Sequence, residues 1–145
     1  MIVTTVLSIS QAASLALPTM VFLAANPDSP ISTGEVASAL RVSEADLSKV
    51  LQRLAKVGLV KSVRGPRGGF VLGKGSDRIA LLDVYESIEG PLVASNCLLD
   101  APACGGEPCI LGGLLEAMST QVREYLAGTR LSELAHICLR RNINA

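Results

Sequence analysis

The sequence predicts a mainly α-helical fold with one small β-hairpin, and three observations carry that expectation. Apolar residues recur at helical spacing over most of the chain. Two short runs rich in β-branched and apolar residues flank a turn of Arg, Gly and Pro near the middle. Breaker residues (Asn26-Pro-Asp-Ser-Pro30, Gly58, Gly90-Pro91 and Gly128) cut the rest into pieces of helix length. At 145 residues, 49% of them hydrophobic, the chain can close a core without disulfide staples.

The first helix is expected over 10–25, with Ala13, Leu17, Met20 and Ala24 on one stripe and Pro18 set to kink it or delay its start. No charge precedes Asp28, so residues 2–25 also raise a signal peptide or a membrane span. The missing basic n-region and the polar residues Thr4, Thr5, Ser8, Ser10, Gln11, Ser14 and Thr19 favour a buried helix and a cytoplasmic address. A short helix follows over 32–40, capped by Ser32 or Thr33, with Glu35 in its first turn. After the tight Arg41-Val42 connection, Ser43 caps a longer helix, with Asp46 in a capping-box-like place. Its apolar stripe is Leu47, Val50, Leu51, Leu54 and Val57, and Gly58 ends it. The opposite face carries Ala45, Ser48, Lys49, Gln52 and Lys56, with Arg53 at the edge. Two helices joined so closely form a helix-turn-helix pattern.

Residues 59–63 and 69–72 read as two strands, joined through Arg64-Gly-Pro-Arg-Gly68, so a hairpin directly follows the second helix of the pair and makes a wing. Residues 79–89 form another amphipathic helix, stopped by Gly90-Pro91. Residues 91–108 show no period. They hold Cys97 and Cys104, and Cys109 follows at once; such a long irregular stretch is usually functional or flexible. A long helix is expected over 108–127 with a ridge of Leu111, Leu115, Met118, Val122 and Leu126, and a last short helix over 129–139. The organisation is then a winged-helix unit over 1–90, a cysteine-containing segment over 91–109, and a dimerisation helix with a C-terminal helix over 110–145.

Net charge is zero, but residues 1–75 hold eight Lys/Arg against four acids and the remainder five against nine. All eight N-terminal cations fall between Arg41 and Lys74. This fits a cationic surface for a polyanion, or else an ordinary solvated face. With two Phe, two Tyr and no Trp, the chain is poorly suited to stacking single-stranded bases. There is no phosphate-binding glycine loop, no catalytic carboxylate pair, and a single His without a nearby nucleophile, so an enzyme is not expected.

The run over 42–60 (VSEADLSKVLQRLAKVGLV), the wing over 62–70 (SVRGPRGGF), Leu72-Gly-Lys74 and 79–90 (IALLDVYESIEG), followed by three cysteines and a long helix, resembles the Rrf-two family of winged-helix regulators. This is the family of the iron–sulfur assembly regulator and the nitric-oxide sensor, and the resemblance covers nearly the whole chain. It implies a homodimer whose long helices cross, with each chain lending a winged helix to a palindromic double-stranded DNA operator. It also implies an iron–sulfur cluster in many members, whereas some members lack the cysteines.

Placed in that frame, Ser43, Ser48, Lys49 and Gln52 are expected at a major groove. Gln pairs with adenine, Lys with guanine, and Ser with base edges or phosphate. Arg53 is expected at phosphate, and Arg64 and Arg67 at a minor groove, where arginine is drawn by the negative potential. Many relatives have glycine where Arg67 stands. Cys97, Cys104 and Cys109 are soft ligands suited to an iron–sulfur cluster, zinc or copper(I), or they act as bare redox thiols. Spacing does not choose among these. A cluster of 2Fe–2S or 4Fe–4S type would need a fourth ligand. Gly112 stands where some relatives have histidine, and the acidic helix-one residue of others is absent. Ser14, Asp100, Glu107 or an external thiol remain candidates. Cys138 reads as a core residue.

Two rival functions stay open beside a cluster-dependent regulator that acts chiefly as a repressor. One is a cluster-free winged-helix regulator controlled by a partner protein, a small molecule or thiol oxidation. The other is a small iron–sulfur carrier, which has no need of the basic run 49–74.

Overall fold

The computed structural model describes residues 9–92 and 111–142. Cys97, Cys104, Cys109, Asp100 and Glu107 lie outside them, as does most of the aperiodic stretch. Among the described residues, six helices and one antiparallel hairpin follow in the order expected: α1 (Gln11–Ala25), α2 (Thr33–Leu40), α3 (Glu44–Lys56), β1 (Val60–Val63), β2 (Gly69–Leu72), α4 (Leu81–Glu89), α5 (Gly112–Gly128) and α6 (Leu131–Asn142). A 3-10 turn, Ser76–Arg78, leads into α4.

Helix α1 is apolar on nearly every side and sits at the centre, packed against α6, α4, α3, α2 and β2. Ser10 caps it, its hydroxyl accepting from the Ala13 amide at 3.1 Å. The helix runs through Pro18 rather than starting after it. One residue on, the buried Thr19 hydroxyl donates to the Leu15 carbonyl at 2.6 Å and so needs no outside partner. Met20, Leu23, Val36, Leu47, Leu51, Leu54, Ile79, Val84 and Leu131 complete a single core to which every helix contributes, α5 through Leu126. Among the described residues, no helix is long and apolar enough to cross a membrane.

Five expectations are corrected. Val57 is half exposed rather than part of the α3 stripe, because α3 ends at Lys56 and Val57 turns outward as its C-cap. Helix α4 starts at Leu81, two residues late, and α6 starts at Leu131. In both cases the preceding residues are extended and pair with each other: the Leu81 amide donates to the Thr129 carbonyl, the Leu131 amide donates to the Ile79 carbonyl, and Ala80 faces Arg130. Helix α5 opens at Gly112 and includes Gly128, with Thr129 as its cap. Its expected ridge divides. Leu115 and Leu126 turn into the protein, while Leu111, Leu114 and Tyr125 are exposed, with Met118 and Val122 between.

Candidate nucleic-acid interface

Local chemistry builds the helix pair. The Ser32 hydroxyl accepts from the Glu35 amide at 3.2 Å and starts α2. The Ser43 hydroxyl accepts from the Asp46 amide at 3.4 Å and starts α3. Between them Arg41 adopts a left-handed conformation (φ 57°), which lets the chain turn within two residues. Leu47, Val50, Leu51 and Leu54 are buried and fix the rotation of α3. The remaining face is therefore outward by geometry: Ser43, Ala45, Lys49, Gln52, Arg53 and Lys56 are exposed, and Ser48 is half-buried. Amide, hydroxyl and ammonium groups on one helical face, with acidic Glu44 and Asp46 confined to its first turn, are of the kind that can read base edges in a major groove.

The wing is held by backbone contacts that leave no room for a side chain at Gly68 or Gly69. Strands β1 and β2 pair in register Val60↔Leu72 through Val63↔Gly69. At the tip Gly65 has φ +119°, and the Gly68 amide closes the turn on the Gly65 carbonyl at 2.9 Å. A Cβ on Gly68 would meet the Val63 carbonyl at 2.3 Å. Close to the loop end of β2, Phe70 forms a two-bond bridge with Ile31, at 2.8 and 3.1 Å, which anchors the hairpin to the segment that starts α2. Arg64 and Arg67 are exposed at the tip and Lys61 on β1, so the hairpin presents cations on a narrow, fixed loop beside α3.

Arg53 differs from the other cations. Its guanidinium donates to the Ile88 carbonyl in the last turn of α4 at 2.6 Å. Sequence reasoning missed this bond, because no spacing rule pairs residues 35 apart. The only hint was an arginine in the last turn of α3 and a later helix end with carbonyls to satisfy. Beside it lies a shallow groove of about 290 Å³ between α1 and α3, lined by Gln11, Leu15, Asp46, Lys49, Val50 and Arg53. On α4, burial raises the Tyr85 hydroxyl above the usual tyrosine range, with repulsion from Glu89 adding to it.

The described residues contain no group of three or more His, Cys, Asp or Glu able to hold a metal ion. His136 is exposed on α6, Cys138 is half-buried against the core, and Ser14 is exposed on α1.

Comparison with known proteins gives a consistent set of likenesses. Residues 9–137 match the model of the Rrf2 family, described as an iron-dependent transcriptional regulator. The chain is 34% identical over 125 residues to an HTH-type transcriptional regulator of Aquifex aeolicus, covering 84% of this chain and 87% of that one. It is 32% identical over 109 residues to the HTH-type transcriptional regulator IscR of Erwinia tasmaniensis, covering 75% and 66%. Among solved structures it is similar to CymR, the global cysteine regulator of B. subtilis. There the TM-score is 0.77 and the identity 32%, over 90% of this chain and 98% of that one.

Proposed function

Given that the chain belongs to the Rrf2 family of transcriptional regulators, we propose that it represses transcription as a homodimer on a palindromic operator and senses redox, iron or nitric-oxide status through its three cysteines. The observation that carries the DNA-binding part is the exposed face of α3 (Ser43, Ser48, Lys49 and Gln52) beside a wing tipped by Arg64 and Arg67. Gln52 and Lys49 read base edges, Ser43 and Ser48 take base edges or phosphate, and the wing arginines enter the minor groove. Assembly rests on α5. Leu114, Met118, Val122 and Tyr125 share one face of that helix, with Leu111 at its N-cap, and are exposed or half-buried, an apolar stripe that a second copy would cover.

Cys97, Cys104 and Cys109 supply three soft thiolates, a donor set suited to a 2Fe–2S or 4Fe–4S cluster. Such a group, when bound, brings redox chemistry and sensitivity to oxygen and nitric oxide. The likeness to IscR and the description of the family as iron-dependent support this reading. The likeness to a regulator named for cysteine favours a second one, in which the same thiols act without a cluster by oxidation, or a partner or small molecule supplies the signal. Anaerobic purification separates the two. The first reading expects broad visible absorption with iron and sulfide, bleached by air or nitric oxide, removed by alanine at Cys97, Cys104 or Cys109 and kept in Cys138→Ala. Colourless, iron-free protein after reconstitution would leave the thiol reading.

A further inference from the structure

The last turn of α4 is gripped from two sides. From α3, the Arg53 guanidinium donates to the Ile88 carbonyl at 2.6 Å, across 35 residues of sequence. From α1, the Ser10 hydroxyl donates to the Glu89 carboxylate while its oxygen also caps α1. A helix C-terminus presents unsatisfied carbonyls and partial negative charge, so a guanidinium there is both a hydrogen-bond donor and a charge match. Just beyond, Gly90 takes φ +82°, a backbone conformation favouring glycine, and its amide returns to the Glu86 carbonyl at 2.9 Å. The chain leaves α4 at this point towards Cys97, nine residues after Ile88.

Arg53 shares α3 with Lys49, one turn before it, and with Gln52, its neighbour, yet its guanidinium is turned to α4. A guanidinium has five donors in a fixed fork, so a carbonyl engaged at this distance sets the direction of the whole group. A shift of the last α4 turn would therefore act on α3 through this bond as well as through their shared core.

We propose that Arg53 is a positioning residue: by tying the recognition helix to the end of α4, it makes operator specificity depend on the state of the cysteine-bearing segment that leaves α4. This rests on the DNA-binding and sensing reading above. Affinity for random sequence does not depend on the bond, because cations elsewhere on α3 and the wing supply it.

The test uses the full-length protein, kept anaerobic, and two duplexes: one selected by the wild type from a random-sequence library and one of scrambled order. The proteins compared are wild type, Arg53→Met, Arg53→Lys, the triple alanine variant of Cys97, Cys104 and Cys109, and that triple variant combined with Arg53→Met. Arg53→Met should lower the selected-over-scrambled affinity ratio at least tenfold. Scrambled-duplex affinity and the log–log salt slope should stay unchanged. The effect of the cysteine changes on the ratio, present when Arg53 is intact, should vanish in the combined variant. Arg53→Lys should recover only part of the ratio, because a single ammonium replaces a planar fork. If Arg53→Met instead weakens both duplexes equally and flattens the salt slope by about 0.9, Arg53 is a phosphate contact and the proposal fails. It fails equally if the cysteine changes alter the ratio as much in the Arg53→Met background as they do with Arg53 intact. The wild-type arms read the underlying function separately: selection of no duplex would overturn DNA recognition, and a ratio indifferent to the cysteines would overturn sensing.

Discussion

Replacing Gly69 with alanine tests how the wing is anchored, and its cost can be worked from the structure. A Cβ at this position would lie 2.4 Å from both the carbon and the oxygen of the Ile31 carbonyl and 2.7 Å from the Ser32 amide nitrogen. All three are backbone atoms, so no side chain can swing aside. Relief requires the Ile31–Phe70 bridge to open, and its two backbone hydrogen bonds, at 2.8 and 3.1 Å, are each worth about 1 kcal/mol net. Ile31 is buried in the core, and partial exposure adds about 1 kcal/mol more. The total is about 3 kcal/mol. With a urea m-value of about 2 kcal/mol/M, the unfolding midpoint should fall by roughly 1.5 M. Gly65→Ala is the internal control. It meets no atom within 4 Å and carries only the cost of a positive φ, about 1 kcal/mol. Urea unfolding followed by circular dichroism reads both variants. If Gly69→Ala costs no more than Gly65→Ala, the close approach of β2 to Ile31 does not anchor the wing.

Three further outcomes follow from the same geometry. Arg64→Ala should weaken all duplexes and flatten the log–log salt dependence by about 0.9, read by fluorescence anisotropy; unchanged slope and affinity would remove the wing from the interface. Leu114→Lys, on the exposed face of α5, should give monomers by light scattering and lose tight operator binding at near wild-type monomer stability; a monomeric wild type would contradict the assembly. Arg41→Gly should raise stability by about 0.5 kcal/mol, because relief of the left-handed backbone outweighs the added freedom of the unfolded chain; a loss in urea titration would show that the arginine side chain contributes stability of its own.

The helix-turn-helix and hairpin were readable because their signals are local. Ser32 and Ser43 sit one residue before their helices, Leu47, Val50, Leu51 and Leu54 repeat at helical spacing, and the wing loop concentrates the residues that turns require. What escaped depends on partners distant in sequence. The Ile79–Ala80 pairing with 129–131 trims two helices from outside, and no periodicity reports it. On α5 the apolar ridge was visible, but Leu115 faces the chain's own core while Leu114 faces out, a phase set by neighbours. Pro18 allowed a delayed start that the helix, continuous from Gln11, does not take. Of the site residues, Lys49, Gln52, Arg64 and Arg67 lie on the outward surface, as a recognition face requires, whereas Arg53 took its structural partner from a helix that begins 28 residues later.

The most direct measurement is a salt titration of wild-type binding to a library-selected duplex and to its scrambled counterpart. The account predicts a selected site with two-fold symmetry, bound at least a thousandfold more tightly than the scrambled duplex at physiological salt, with affinity for both falling steeply as salt rises. Equal affinity for the two duplexes, or binding indifferent to salt, would contradict sequence recognition by α3 and the wing.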